Sequence, residues 1–142
     1  MARVAVVTGG TRGIGEAIST GLQNAGYTVA AIYAGNDEAA LRFKEKTGIA
    51  TYKFNVSDFE ACEKALEQIT SEIGPVEILI NNAGITKDGT MHRMSYDQWN
   101  SVIQTNLASC FNMARSIMPL QNPEYMASPR LWPRKVLPKA LL

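Results

Sequence analysis

The residues best suited to chemistry lie in one short stretch near the N-terminus, Thr8-Gly9-Gly10-Thr11-Arg12-Gly13-Ile14-Gly15. It follows an apolar run, Val4-Ala5-Val6-Val7, and opens an amphipathic segment. A strand that feeds a glycine turn and then a helix N-terminus is a phosphate site, because backbone N–H groups point outward there and the helix dipole favours negative charge. Glycine also lets a pyrophosphate come close to the backbone. The spacing Gly9-x-x-x-Gly13-x-Gly15 differs from the G-x-G-x-x-G of many dinucleotide sites. It also fails as a nucleoside triphosphate loop. Gly10 and Gly15 are correctly separated, but Glu16 stands where the phosphate-binding lysine is needed.

Further polar residues fall where apolar patterns end. Asn81-Asn82-Ala83-Gly84 closes the apolar run Val76–Ile80. Asn55-Val56 closes another, near where an adenine ring would lie. Asn106 sits beside Ile103 and Leu107 on an apolar helical face, where a polar group needs hydrogen-bond partners. A satisfied core asparagine and a site residue both fit that spacing. A dinucleotide with a free 2′-hydroxyl is usually gripped by an acid at the end of the second strand. Here that end reads Ile32-Tyr33-Ala34-Gly35-Asn36, with no acid before Asp37. Arg12 in the loop can pair a 2′-phosphate, so the expected cofactor is NADPH over NADH. The single histidine, His92, lies in a polar stretch and reads as a surface residue.

The elements that must position these groups alternate. Apolar strands are expected at Arg3–Thr8, Thr28–Tyr33, Ala50–Val56 and Val76–Ile80. Between them run helical patterns: Gly13–Ala25 with Ile14, Ile18, Leu22 and Ala25 inward, Asp37–Lys46 ended by Gly48, and a helix from Ser57 to Gly74. Ser57 with Glu60 forms an expected capping box, and Cys62, Leu66, Ile69 and Ile73 its apolar face. Ser95 with Gln98 is a second such box, before a helix with Trp99, Val102, Ile103, Leu107, Cys110, Phe111 and Ala114 on one face. Continuous apolar strands alternating with helices predict an α/β, doubly wound parallel sheet of Rossmann type, order 3-2-1-4. In such a sheet the glycine loop and the Asn81–Gly84 turn become neighbours at the strands' carboxyl ends.

Together, Thr8-Gly9-x-x-x-Gly13-x-Gly15, Asn81-Asn82-Ala83-Gly84 and Asn106 resemble the short-chain dehydrogenase/reductase family. The longer strings through Ile14-Gly15, Asn82–Asp88 and Thr105–Asn112 look most similar to its acetoacetyl-CoA reductases, with 3-oxoacyl-carrier-protein reductases next. The resemblance covers residues 1 to about 118. It implies NADPH-dependent reduction of a 3-oxoacyl thioester, as in polyhydroxybutyrate synthesis. It also implies that Gly9, Gly10, Thr11, Arg12, Gly13, Ile14 and Gly15 hold the pyrophosphate and 2′-phosphate. Tyr33 and Ala34 would flank the adenosine ribose, Asn55 and Val56 the adenine, and Asn82, Ala83 and Gly84 the second ribose. Asp88 would lie near the acyl substrate, and Asn106 would hold a water in a proton relay. The family is commonly tetrameric, which implies a homo-oligomer.

One departure bears on catalysis. The family's chemistry uses a tyrosine with lysine one helical turn on, plus an upstream serine. Tyr27, Tyr33, Tyr52, Tyr96 and Tyr125 are followed at that position by Ala31, Asp37, Val56, Asn100 and Pro129. From Pro119 to Leu142 the chain holds five of its six prolines and no glycine. It carries Arg130, Arg134, Lys135 and Lys139 against Glu124. The expectation is an incomplete cofactor domain over 1–118 and an unstructured or foreign basic tail over 119–142, hence a truncated and inactive polypeptide.

Composition bounds the rest. At 142 residues the chain is at most one domain, 46% hydrophobic and 19% charged, as suits a packed α/β core. A net charge of +1 gives no global field for nucleic acid or membrane. No apolar run reaches the roughly 18 residues of a membrane span, and no N-terminal segment reads as a signal peptide. Cys62 and Cys110 lack metal spacing and read as reduced thiols. No metal is expected, and a cytoplasmic location follows.

Overall fold

A computed structural model describes residues 2–121. The tail expected over 119–142 therefore lies, from residue 122 onward, outside the described residues. Four parallel strands form one sheet in the order β3-β2-β1-β4, as the alternation predicts. They are β1 (Val4–Thr8), β2 (Thr28–Tyr33), β3 (Ala50–Lys53) and β4 (Val76–Ile80). The helices are α1 (Gly13–Asn24), α2 (Asp37–Thr47), α3 (Phe59–Ile73), α4 (Tyr96–Ile103) and α5 (Ser109–Gln121). A π-helical turn, Gln104–Ala108, joins α4 to α5.

Alternation along β1 sends side chains to two cores. Val4 and Val6 pack with Ile32, Leu66, Ile69, Met113 and Ile117 under α3 and α5. Val7 packs with Val29, Ala31, Phe43 and Ile49 under α1 and α2. Both faces of β1 are covered, and all five of its residues are buried. That is why its sequence reads as an unbroken apolar run. The face expected on α3 is the one found: Cys62, Leu66 and Ile69 are fully buried.

Several local expectations are corrected. The third strand ends at Lys53 rather than Val56. Helix α3 is capped by Asp58, whose carboxylate accepts from the Ala61 N–H, and not by a Ser57–Glu60 box. Ser57 is already engaged, since its N–H and hydroxyl both donate to Asn55 Oδ1. Ile14 does not face the core; it is 75% exposed. Trp99, Leu107 and Phe111 are also exposed, and Ser109, Asn112, Met113, Ser116 and Ile117 are buried instead. The wider π turn shifts the helical phase at Leu107 and Phe111, whereas Trp99 precedes it in α4, none of whose residues is buried. Finally, α5 runs through Pro119 to Gln121, past the expected boundary at 118. Pro119 has no N–H to give to the Arg115 carbonyl one turn back, yet the helix continues through it. The Gln121 side chain ties that last turn to the Val76 carbonyl. The Ser95–Gln98 box forms as expected.

Candidate cofactor site

The carboxyl ends of β1, β2, β3 and β4 surround a groove of about 640 Å³. The sequence of its floor explains its shape. Gly9 (φ 63°) and Gly13 (φ 56°) adopt left-handed conformations that favour glycine. Gly15 is required for space: a Cβ there would lie 1.9 Å from the Gly9 carbonyl oxygen and 2.7 Å from Asn82 Nδ2. Gly10 faces the other way. It donates to the Ile32 carbonyl at 3.0 Å and accepts from the buried Ser19 hydroxyl at 3.0 Å, and it does not line the groove. Its role is to pack the loop onto the sheet rather than to present an N–H.

One hydroxyl joins the two loops. Thr8 Oγ1 donates to the Ile80 carbonyl at 3.3 Å and accepts from the N–H groups of Asn82 and Ala83, both at 2.9 Å. The Asn82 side chain returns the contact, donating through Nδ2 to the Thr8 carbonyl at 3.0 Å and the Gly9 carbonyl at 3.2 Å. The predicted neighbourhood of the glycine loop and the Asn82–Gly84 turn therefore exists. Thr8, the residue that welds them, was not among the site residues expected from sequence. Its position as the only hydroxyl in an apolar strand was the available signal.

The other expected residues divide clearly. Gly9, Thr11, Arg12, Gly13, Ile14, Gly15, Tyr33, Ala34, Asn55, Val56, Asn82, Ala83 and Gly84 all line the groove. Ile32, Gly35, Asn36, Phe54, Ile85 and Thr105 line it as well and were missed. Asp88 is exposed and does not reach it. Asn106 is exposed too. Its amide makes two hydrogen bonds with one backbone residue, accepting from the Ile85 N–H at 2.8 Å and donating to the Ile85 carbonyl at 3.0 Å. It splints the segment after β4 to the π turn. In this geometry the Asn106 side chain holds the backbone at Ile85.

The electrostatics at the β2 end are lopsided. Arg12 is exposed and makes no ion pair among the described residues. The nearest acid, Asp37, is held by Lys53 at 2.8 Å. Hydrogen bonding to Lys53 lowers the Asp37 pKa, and Asp37 in turn raises that of Lys53. Glu16 turns away to Lys46 at 3.0 Å. Among the described residues, no acid pairs with the positive charge of Arg12 on that rim.

The groove fits a dinucleotide on two observations. Gly15 lets the loop pack tightly on Gly9 and Asn82, and Gly13, which lines the groove and has nothing within 4 Å of a built Cβ, leaves it open there. The N-terminus of α1 has no side-chain cap, so its first N–H groups are unclaimed by a side chain. Among the described residues no cluster of three His, Cys, Asp or Glu side chains could hold a metal ion, and no helix is long and apolar enough to cross a membrane. Cys62 and Cys110 are free.

Comparison with known proteins agrees with this architecture. The model of a family described as short chain dehydrogenase matches residues 3–124. An acetoacetyl-CoA reductase from Shinella zoogloeoides is 57% identical over 117 residues, covering 82% of this chain and 48% of that protein. A 3-oxoacyl-[acyl-carrier-protein] reductase from Staphylococcus epidermidis is 37% identical over 124 residues, covering 84% and 51%. A solved mutant of a Serratia marcescens short-chain dehydrogenase/reductase superposes with a TM-score of 0.77 at 30% identity, covering 82% and 49%. The chain spans about half the length of the curated relatives it matches.

Proposed function

The chain belongs to the short-chain dehydrogenase family, and from that premise we propose that its groove binds NADPH for the reduction of a 3-oxoacyl thioester, acetoacetyl-CoA first among them. The family and the fold imply a nicotinamide nucleotide. The observation that carries the choice of NADPH is that Arg12, which makes no ion pair among the described residues, lines the groove together with a β2 end whose next acid in sequence, Asp37, is paired with Lys53. A guanidinium pairs a 2′-phosphate bidentately, and no carboxylate stands ready for a free 2′-hydroxyl. The substrate class is supported by the named activity of relatives 57%, 56% and 52% identical.

In this reading the backbone of Gly9 and Thr11–Gly15 holds the pyrophosphate at the α1 N-terminus. Tyr33 and Ala34 flank the adenosine ribose, Asn55 and Val56 bound the base, and Asn82–Gly84 lie beneath the second ribose. Asp88, which does not line the groove, is given a place near the acyl substrate by the family resemblance alone. When bound, the dinucleotide supplies a hydride to the substrate carbonyl carbon. Asn106, its side chain bonded to Ile85, holds a water in the proton relay, as the family resemblance implies.

A second reading follows from the tyrosines. None of the five has lysine four residues on, so no general acid of the family type is present in these 142 residues. General-acid catalysis contributes roughly 10²- to 10⁴-fold. We infer that this polypeptide by itself binds NADPH without appreciable turnover. The exposed Trp99, Leu107 and Phe111 face supports self-association, as the resemblance to a tetrameric family implies.

Fluorescence titration with both cofactors tests the first reading. NADPH is expected to bind at least tenfold tighter than NADH, and Arg12→Ala to erase that preference; equal or tighter NADH binding refutes it. Absorbance at 340 nm with NADPH and acetoacetyl-CoA tests the second. Turnover clearly above a buffer control refutes it.

A further inference from the structure

The wall that would meet the base is braced from behind. Phe54, Asn55 and Val56 line the groove after β3. The peptide plane joining Val56 to Ser57 is fixed on both sides. Its carbonyl accepts from Asn112 Nδ2 at 3.0 Å and from the Cys62 thiol at 3.5 Å. Its N–H donates to Asn55 Oδ1 at 3.0 Å, and the Ser57 hydroxyl donates to the same oxygen at 2.8 Å.

Asn112 is buried on α5, next to Met113 and Ile117 in the apolar seam with α3. A buried amide there is costly unless bonded, and a hydrophobic residue would pack the seam without that cost. The bond it makes goes to the loop behind the groove, 56 residues away in sequence.

We propose that Asn112 is a positioning residue for the cofactor's base. It fixes the Val56–Ser57 peptide, which commits Asn55 Oδ1 inward. The end of Asn55 left to the groove is then Nδ2, a pure donor, suited to an acceptor nitrogen on the edge of a purine. Asn112 itself touches no cofactor. The inference rests on the dinucleotide reading above.

A double-mutant cycle with NADPH as the probe, on the 142-residue chain, tests it. Asn112→Leu keeps the shape and removes the donor. Its dissociation constant for NADPH is expected to rise about fivefold, the worth of one neutral hydrogen bond. In an Asn55→Ala background the same substitution is expected to have no further effect. A merely structural role weakens binding by the same factor in both backgrounds, which overturns the proposal, as does unchanged binding in the otherwise native chain. Should Asn112→Leu fail to fold, Asn112→Ser enters the same cycle with the same expected non-additivity. Absence of NADPH binding by the native chain is a different result: it refutes the dinucleotide reading and removes the inference with it.

Discussion

The flank of the sheet around β1 and β2 and the flank around β4 are built differently. Every residue of β1 is buried, and so are the four central residues of β2. In β4 only Val76 is buried, Glu77 is exposed, and Ile78 to Ile80 are half-covered. Beside β4, the outer face of α4 and α5 exposes Trp99, Leu107 and Phe111 at 52%, 65% and 66%. The first flank is closely packed, and its glycine loop is tied through Thr8 to the turn after β4. The second presents a strand edge unpaired among the described residues and an apolar helix face. Binding a cofactor draws mainly on the first flank. Association with other protein surface draws on the second.

The contrast is broken most severely at Gly15. Gly15→Ala drives a methyl into the Gly9 carbonyl and Asn82. It is expected to cost roughly 3 kcal/mol in denaturant unfolding and to abolish NADPH binding. Gly21→Ala, in open space within α1, is expected instead to gain up to about 1 kcal/mol. Next come paired truncations. Leu66→Ala, in the buried core, should cost about 3 kcal/mol, against about 0.5 kcal/mol or less for Phe111→Ala. Equal costs would show that the α5 face is buried in solution. Thr8→Val orphans the N–H groups of Asn82 and Ala83. It should cost about 2 kcal/mol and accelerate amide exchange at both positions, while the β3 amides stay protected.

The mildest effect is on alkaline stability. Burial, and then the Glu72 carboxylate that accepts its hydroxyl proton at 2.7 Å, push the Tyr52 pKa from 10.0 up to about 12. A raised folded-state pKa on a group that loses a proton to become charged favours the protonated form on folding. The contribution is fully present below pH 10 and is lost as pH rises toward about 12. Tyr52→Phe should therefore flatten the fall in melting temperature across that window. Burial likewise raises the Cys62 thiol to about 11, so iodoacetamide near pH 8 should label Cys110 and spare Cys62.

The closely packed flank was legible in the sequence and the open one less so. Val4–Thr8 and Thr28–Tyr33 announce themselves because burial on both faces makes a strand almost uniformly apolar, whereas Val76–Ile80 reads as a strand despite Glu77 and its half-covered residues. The glycine loop reads directly because backbone geometry leaves no substitute for Gly15. Gly10 shows the limit: spacing identifies a glycine, not the direction in which it faces. The α4–α5 face misled because apolar residues at helical spacing imply burial only while the helix keeps its phase. The π turn at Gln104–Ala108 has no signature beyond the out-of-place Asn106, whose pairing with Ile85 depends on chain 21 residues away. Asp88 and Arg12 differ in the same way. Arg12 is carried by a loop whose course the glycines dictate, whereas Asp88 follows a stretch with no regular structure to aim it.

The Thr8 hydroxyl has a consequence for how the protein is made. Its partners Asn82 and Ala83 lie 74 and 75 residues further along the chain. On the ribosome, β1 and its glycine turn emerge first, yet the groove has no opposite wall until Ala83 has left the exit tunnel. The cofactor therefore has no completed site to bind during the early part of synthesis. Closing that long loop comes at an entropic cost the chain meets through its own core, with ligand binding able to reward only the finished arrangement.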